Sequence, residues 1–196
     1  MRNYQYNKTK SATSFSVGKI NIVELIIFTG LPGTGKSSLA DAVGRELGVP
    51  VFARDWLVAT LRTAGFGLHQ NSARILGFAG YELLTTLAWR QLSLGQSAIL
   101  DCVLGMTSTR ERWRKLTVEY SAGWRVIECI CSNEEIHRAR LQNRRRDKPG
   151  WANVTWETVE RLSADYAPWE QDRLVIDSVL SVDDNVRTVL NHLRPG

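Results

Sequence analysis

Residues 30–37 read Gly30-Leu31-Pro32-Gly33-Thr34-Gly35-Lys36-Ser37, followed by Ser38. A glycine, any four residues, then Gly-Lys-Ser/Thr is the pattern of a phosphate-binding loop when it lies between a strand and a helix. Its glycines let backbone N–H groups turn inward around phosphate oxygens, and the helix that follows adds a favourable dipole. Lys36 supplies a point charge to β- and γ-phosphates, and the Ser37 hydroxyl is placed to ligate Mg²⁺. The chemistry expected is therefore that of ATP with Mg²⁺, with residues 30–38 as the cradle.

Three further features bear on that chemistry. Asp101 ends the apolar run Ser97-Ala98-Ile99-Leu100 and reads either as a second ligand for Mg²⁺, direct or through water, or as a cap or turn residue. Cys102 follows it where a hydrolysing ATPase would carry a water-activating Glu, which favours transfer to a hydroxyl over hydrolysis. Asp55, in Phe52-Ala53-Arg54-Asp55, reads either as the base that takes a proton from an acceptor hydroxyl or as the N-cap of a helix. The block Arg138, Arg140, Arg144, Arg145 and Arg146 either closes over the transferring phosphoryl group or forms a solvated face paired with Glu134, Glu135 and Asp147. Arg140 and Arg144 stand four apart, on one helix face. Trp151, Trp156 and Trp169 read as an acceptor wall or as packing. His69, His137 and His192 receive no role.

The elements that must position these residues are legible from apolar runs and breakers. Residues 23–28 form a short β-branched run suited to a buried parallel strand, and Leu39, Ala40, Val43 and Leu47 repeat at helical spacing until Gly48. Strands are also expected at 49–53, 97–101, 124–131 and 174–177. Helices are expected from near Asp55, over 72–94 (Leu76, Ala79, Leu83, Leu84 and Leu87 on one side), from Thr107 or Ser108 as cap to 120, after an Asn133 cap, over 155–166 and over 183–193. Gly65 and Gly67 mark a turn. Strands alternating with helices imply an α/β fold, a mostly parallel sheet covered on both faces.

The chain has 196 residues, enough for one α/β domain with its own core, and a formal charge of +5. Much of that charge lies in the arginine block and the N-terminal tail, which suits phosphates of a nucleotide or of a nucleic acid alike. Three cysteines, Cys102, Cys129 and Cys131, sit in or beside expected strands; the odd count suggests a reducing compartment and buried inert thiols rather than a zinc site. Residues 1–20 are polar and lack the apolar core of a secretory signal or anchor, so they read as a flexible tail. No apolar run approaches the ~18 residues of a membrane span. A cytoplasmic protein is expected, as monomer or homodimer.

With residues 30–37, Arg54-Asp55, the Ile99-Leu100-Asp101 strand end and Arg140-x-x-x-Arg144 in that order, the chain resembles a family of P-loop kinases. That family includes polynucleotide 5′-kinase, chloramphenicol phosphotransferase and the zeta toxins, and the likeness covers about residues 22–194. It implies a three-layer α/β/α sandwich with five parallel strands, and a helical lid over about 140–156 in a single domain spanning 21–196. It also implies Asp55 as general base, Asp101 as the acidic residue at the strand end, and Arg144, with Arg140 as second choice, as the lid arginine touching ATP phosphates. Trp56 and Cys102-Val103 depart from the family on the acceptor side. The expected activity is ATP- and Mg²⁺-dependent phosphorylation of a hydroxyl on a small molecule: an antibiotic, sugar or nucleoside. A polynucleotide 5′-hydroxyl, or a nucleotide-dependent switch without an acceptor, is the alternative.

Overall fold

The run Glu24–Thr29 forms a strand, β1, buried along its whole length. The computed structural model describes residues 22–66, 72–143, 149–151 and 154–194. Among these, Val51–Ala53 (β2), Ala98–Asp101 (β3), Gly123–Ile130 (β4) and Leu174–Asp177 (β5) join β1 in one sheet of order β2-β3-β1-β4-β5. Every pairing is parallel: Ile27 stands beside Leu100 of β3 on one side and Val126 of β4 on the other. A parallel strand with neighbours on both sides and helices on both faces is wholly apolar, as β1 nearly is.

The two-residue side-chain period of β1 divides the core. Ile26 and Phe28 join one cluster with Leu39, Val43 and Leu47 of the helix Lys36–Leu47 (α1) and Val189 and Leu193 of the helix Val182–Leu193 (α7). Leu25 and Ile27 join the other, with Leu84, Ala88 and Leu92 of the helix Ser72–Ser93 (α3) and Trp113 of the helix Thr107–Glu119 (α4). The remaining helices are Arg54–Thr63 (α2), Glu134–Gln142 (α5) and Trp156–Ala164 (α6). Five parallel strands with seven helices among the described residues make the expected three-layer α/β fold.

From β1 the chain goes to the β2 edge, returns through β3, then crosses to β4 and β5. Ligands of such sheets bind beyond the carboxyl ends of the strands where the chain changes direction. The 30–37 loop leaves β1 at that point.

Several local expectations are corrected. Gly48 does end α1 in a left-handed conformation (φ 64°), and Asn133 Oδ1 does cap α5 by accepting from Ile136 N at 3.0 Å. The cap of α4, however, is Met106 rather than Thr107 or Ser108, with no side-chain bond, because its N-terminus follows directly from the 102–106 connection. On α3 the buried stripe runs through Leu76, Gly80, Leu84, Ala88 and Leu92, and Leu83 is exposed. Spacing by four follows the face that meets the sheet. Cys131 lies just past β4, not within it. The segment 1–20, Gly67 and His69 lie outside the described residues.

Candidate functional site

The loop between β1 and α1 is held open by backbone that only glycine adopts freely. Gly30, Gly33 and Gly35 have φ of 136°, 91° and 80°. A methyl group on Gly30 would lie 2.1 Å from the Cys129 carbonyl oxygen, so the loop departs against the end of β4. Thr34 fastens the turn, its Oγ1 donating to Leu31 O at 2.8 Å. Lys36 follows as the first residue of α1 and is almost fully buried.

Asp101, at the carboxyl end of β3, is 5% exposed and faces the same point. Burial raises its carboxyl above the ordinary range, while the Lys36 charge and a hydrogen bond with Ser37 pull it back down. Its Oδ1 is buried without a hydrogen-bond partner among the described residues. A buried orphan oxygen beside a serine hydroxyl is the donor set a Mg²⁺ ion takes when phosphates and water complete its shell, so the residues present fit that ion. No cluster of three His, Cys, Asp or Glu side chains that could hold a metal ion occurs among the described residues.

Two cavities meet at Lys36. One, of about 330 Å³, is lined by Gly33 to Leu39 and, across from them, by Arg140, Ile176, Ser178, Leu180, Val182 and Asn185. Its loop half offers backbone amides, and its apolar half can take a planar base. The other, of about 630 Å³, runs from Pro32 and Lys36 along Arg54, Asp55 and Val58 of α2 to Phe78 and Tyr81 of α3 and Arg161 and Asp165 beside α6. Both volumes fall in the range of small-molecule sites, about 300–1,000 Å³.

Asp55 is the second residue of α2, whose N-cap is Ala53. The capping alternative is thereby removed, and the carboxylate, half exposed and 3.7 Å from Arg54 Nη1, borders the larger cavity. Arg54 is pinned, donating to Gly77 O at 3.0 Å and lying 4.6 Å from the Tyr81 ring centroid. Tyr81 OH in turn donates to Val103 O, fixing the wall next to Asp101.

The arginine block divides. Arg138 pairs with Glu134 at 2.7 Å and lies over the Trp156 ring, on the solvated face. Arg140 borders the smaller cavity but donates to Ser178 Oγ and Ser178 O at 2.7 and 2.8 Å, which brackets it to the β5–α7 connection. Arg144, Arg145 and Arg146 lie outside the described residues. Of the tryptophans, Trp151 borders the larger cavity and meets Trp56 edge-on at 5.8 Å, whereas Trp156 packs on His137 and Trp169 under Arg110.

His137, to which the sequence gives no role, buttresses the loop. It is buried on α5, Nε2 donates to Pro32 O at 2.8 Å, and its ring meets Trp156 of α6 at 5.1 Å. No helix among the described residues is long and apolar enough to cross a membrane.

Fold and loop together define the class as a P-loop kinase-like α/β domain. The chain matches the AAA domain model AAA_33 over residues 25–169, and it belongs to that family. A UPF0200 protein of Aeropyrum pernix is 32% identical over 147 residues, 71% of this chain and 73% of that protein. Relatives from Mycobacterium tuberculosis and Mycobacterium bovis are 28% identical over 159 residues, and the chain spans 30% of their length. Among solved structures, one from Chloroflexus aurantiacus described as a candidate kinase has a TM-score of 0.69 at 22% identity, covering 89% of this chain and 100% of that one. The Mycobacterium tuberculosis APS kinase in complex with AMPPNP and APS has a TM-score of 0.61 at 20% identity, covering 88% of this chain and 98% of that one. At such identities these two likenesses are likenesses of fold.

Proposed function

We propose that this chain is a kinase that transfers the γ-phosphate of ATP to a hydroxyl of a small molecule. The observation that carries this reading is the meeting of two cavities at one buried lysine, with a carboxylate, Asp55, in the second. A nucleotide bound along residues 30–38 has its terminal phosphate at Lys36, and an acceptor in the larger cavity reaches it from the other side. The APS kinase structure, with a nucleotide analogue and an acceptor bound together, supports such a two-ligand arrangement on this fold.

In this reading the loop amides and Lys36 hold the β- and γ-phosphates, and Lys36 stabilises charge as the phosphoryl group moves. Ser37 and Asp101 hold Mg²⁺, which when bound neutralises phosphate charge. The Asp55 carboxylate accepts the hydroxyl proton as the acceptor oxygen bonds to phosphorus and the bond to ADP breaks. Arg54 holds Asp55 in place. The second cavity suits a small molecule, and water alone would need no such chamber. Arg144 as the arginine that touches the ATP phosphates, with Arg140 as second choice, a cytoplasmic location, and a monomer or homodimer complete the proposal.

The test is phosphoryl transfer from γ-labelled ATP in the presence of Mg²⁺ and a panel of hydroxylic small molecules. Transfer far above acceptor-independent hydrolysis is expected, and Lys36→Ala should lower it by at least ~10²-fold, the scale of one lost electrostatic stabiliser. Hydrolysis that no acceptor stimulates, or full activity in the alanine variant with an unchanged circular-dichroism spectrum, overturns the reading.

A further inference from the structure

The wall of the larger cavity is more basic than one lysine and one catalytic carboxylate require. Besides Lys36 and Arg54, the guanidinium-bearing residues Arg62 of α2, Arg74 of α3 and Arg161 of α6 line it, against only Asp55 and Asp165. Their engagement differs. Arg62 spends Nη1 on Gly150 O at 3.1 Å. Arg54 has its head committed to Gly77 and Tyr81, yet its Nε is buried without a hydrogen-bond partner among the described residues. Arg74 and Arg161 are both exposed and on different helices, and the side chain of neither makes a hydrogen bond or ion pair with a described residue. Between the arginines the wall is apolar, with Val58, Phe78, Met106, Trp151 and Leu162.

We propose that the acceptor is an organic anion: a hydroxyl compound that carries a phosphate, sulfate or carboxylate group, bound by Arg74 and Arg161 and turned so that its hydroxyl faces Asp55 and Lys36. This rests on the kinase reading above and narrows it to a substrate class. The physical reason is that guanidinium groups present a planar fork matched to oxyanions, and they are weakly enough hydrated to be desolvated in a cleft. In the kinase reading the nucleotide lies along residues 30–38 in the smaller cavity, whose lining does not include Arg74 or Arg161. A neutral acceptor would give Arg74 and Arg161 no charge to meet. An anionic one neutralises them and is held by its tail, which leaves the hydroxyl end to be set by Arg54 and Asp55. The apolar stretch takes the organic skeleton between the two ends.

The experiment is isothermal titration on the full chain in two steps. AMPPNP with Mg²⁺ is titrated first, filling the nucleotide cavity to the γ-position. Inorganic sulfate and inorganic phosphate are then titrated into the saturated complex. The expected result is anion uptake with a Kd of the order of 1 mM, weakened at least ~10-fold in the double variant Arg74→Gln, Arg161→Gln, with AMPPNP affinity unchanged. Each single variant should fall between. Absence of AMPPNP uptake by folded protein overturns the kinase reading itself. AMPPNP uptake with no anion uptake, or anion uptake equal in the double variant, overturns only the anionic-acceptor inference. A transfer assay on matched pairs, ribose with ribose 5-phosphate and glucose with gluconate, separates the sources of the charge. The charged member should be turned over with the lower KM, the advantage lost in the double variant through KM rather than kcat; a better KM for the neutral member of both pairs overturns the proposal.

Discussion

Asp55 tests the division of labour at the scale of single side chains. It sits in the first turn of α2, half exposed, beside a pinned arginine, so Asp55→Asn preserves shape and removes only basicity. AMPPNP affinity is expected to stay within about twofold while transfer falls by ~10²- to 10⁴-fold, the range of one lost general base; single-turnover kinetics would read it. Cys129 illustrates the opposite case, a reactive type made inert. Burial pushes its thiol up to about 12, and the thiolate is the nucleophile. Iodoacetamide at about pH 8, near the free-thiol value, should label native protein at half-buried Cys131 alone and label Cys102 and Cys129 only after urea. The sign for stability follows from the same shift. With the folded value above the unfolded one, the contribution of Cys129 is complete below the ordinary thiol pKa of about 8.5 and is lost as pH rises towards about 12.

At the scale of elements, Gly30 joins β1 to the phosphate loop at φ 136°, and a methyl group would lie 2.1 Å from the Cys129 carbonyl oxygen. Gly30→Ala is expected to destabilise by more than ~1–3 kcal/mol of backbone strain, seen as a lower urea midpoint with unchanged slope, and to weaken nucleotide binding as well. The order of strands and helices was legible because apolar runs of strand length alternate with helical spacing, and glycines mark the ends, as at Gly48. Residues 30–37 were legible for a stricter reason: the backbone itself makes the site, and only glycine tolerates that backbone. Asp55 was ambiguous because a cap and a base are both carboxylates at a helix start, and an offset of two residues, with Ala53 as cap, removes the first reading. The role of His137 was invisible, since its partner Pro32 lies 105 residues away. The cationic wall was equally hidden, because Arg62, Arg74 and Arg161 come from three helices that only the fold assembles.

For the whole molecule, the face of the sheet behind the larger cavity is packed around one large side chain. Trp113 is fully buried among Leu25, Leu84 and Leu104, and its Nε1 donates to Thr85 Oγ1 at 2.8 Å. Trp113→Ala should cost ~3–5 kcal/mol, visible in equilibrium urea unfolding, since it leaves a void and takes one donor from the Thr85 hydroxyl, which keeps its bond to Tyr81 O at 2.8 Å. A loss below ~1 kcal/mol would mean that α3 and α4 collapse onto the sheet without it. The shared floor at Lys36 has a consequence for ligand design. Because Lys36 lines both chambers, a single compound with adenosine at one end and an organic anion at the other, tethered through a polyphosphate bridge, would fill both. It would surrender its overall tumbling and translation once instead of twice, and its second half would meet its chamber at an effective concentration in the millimolar range.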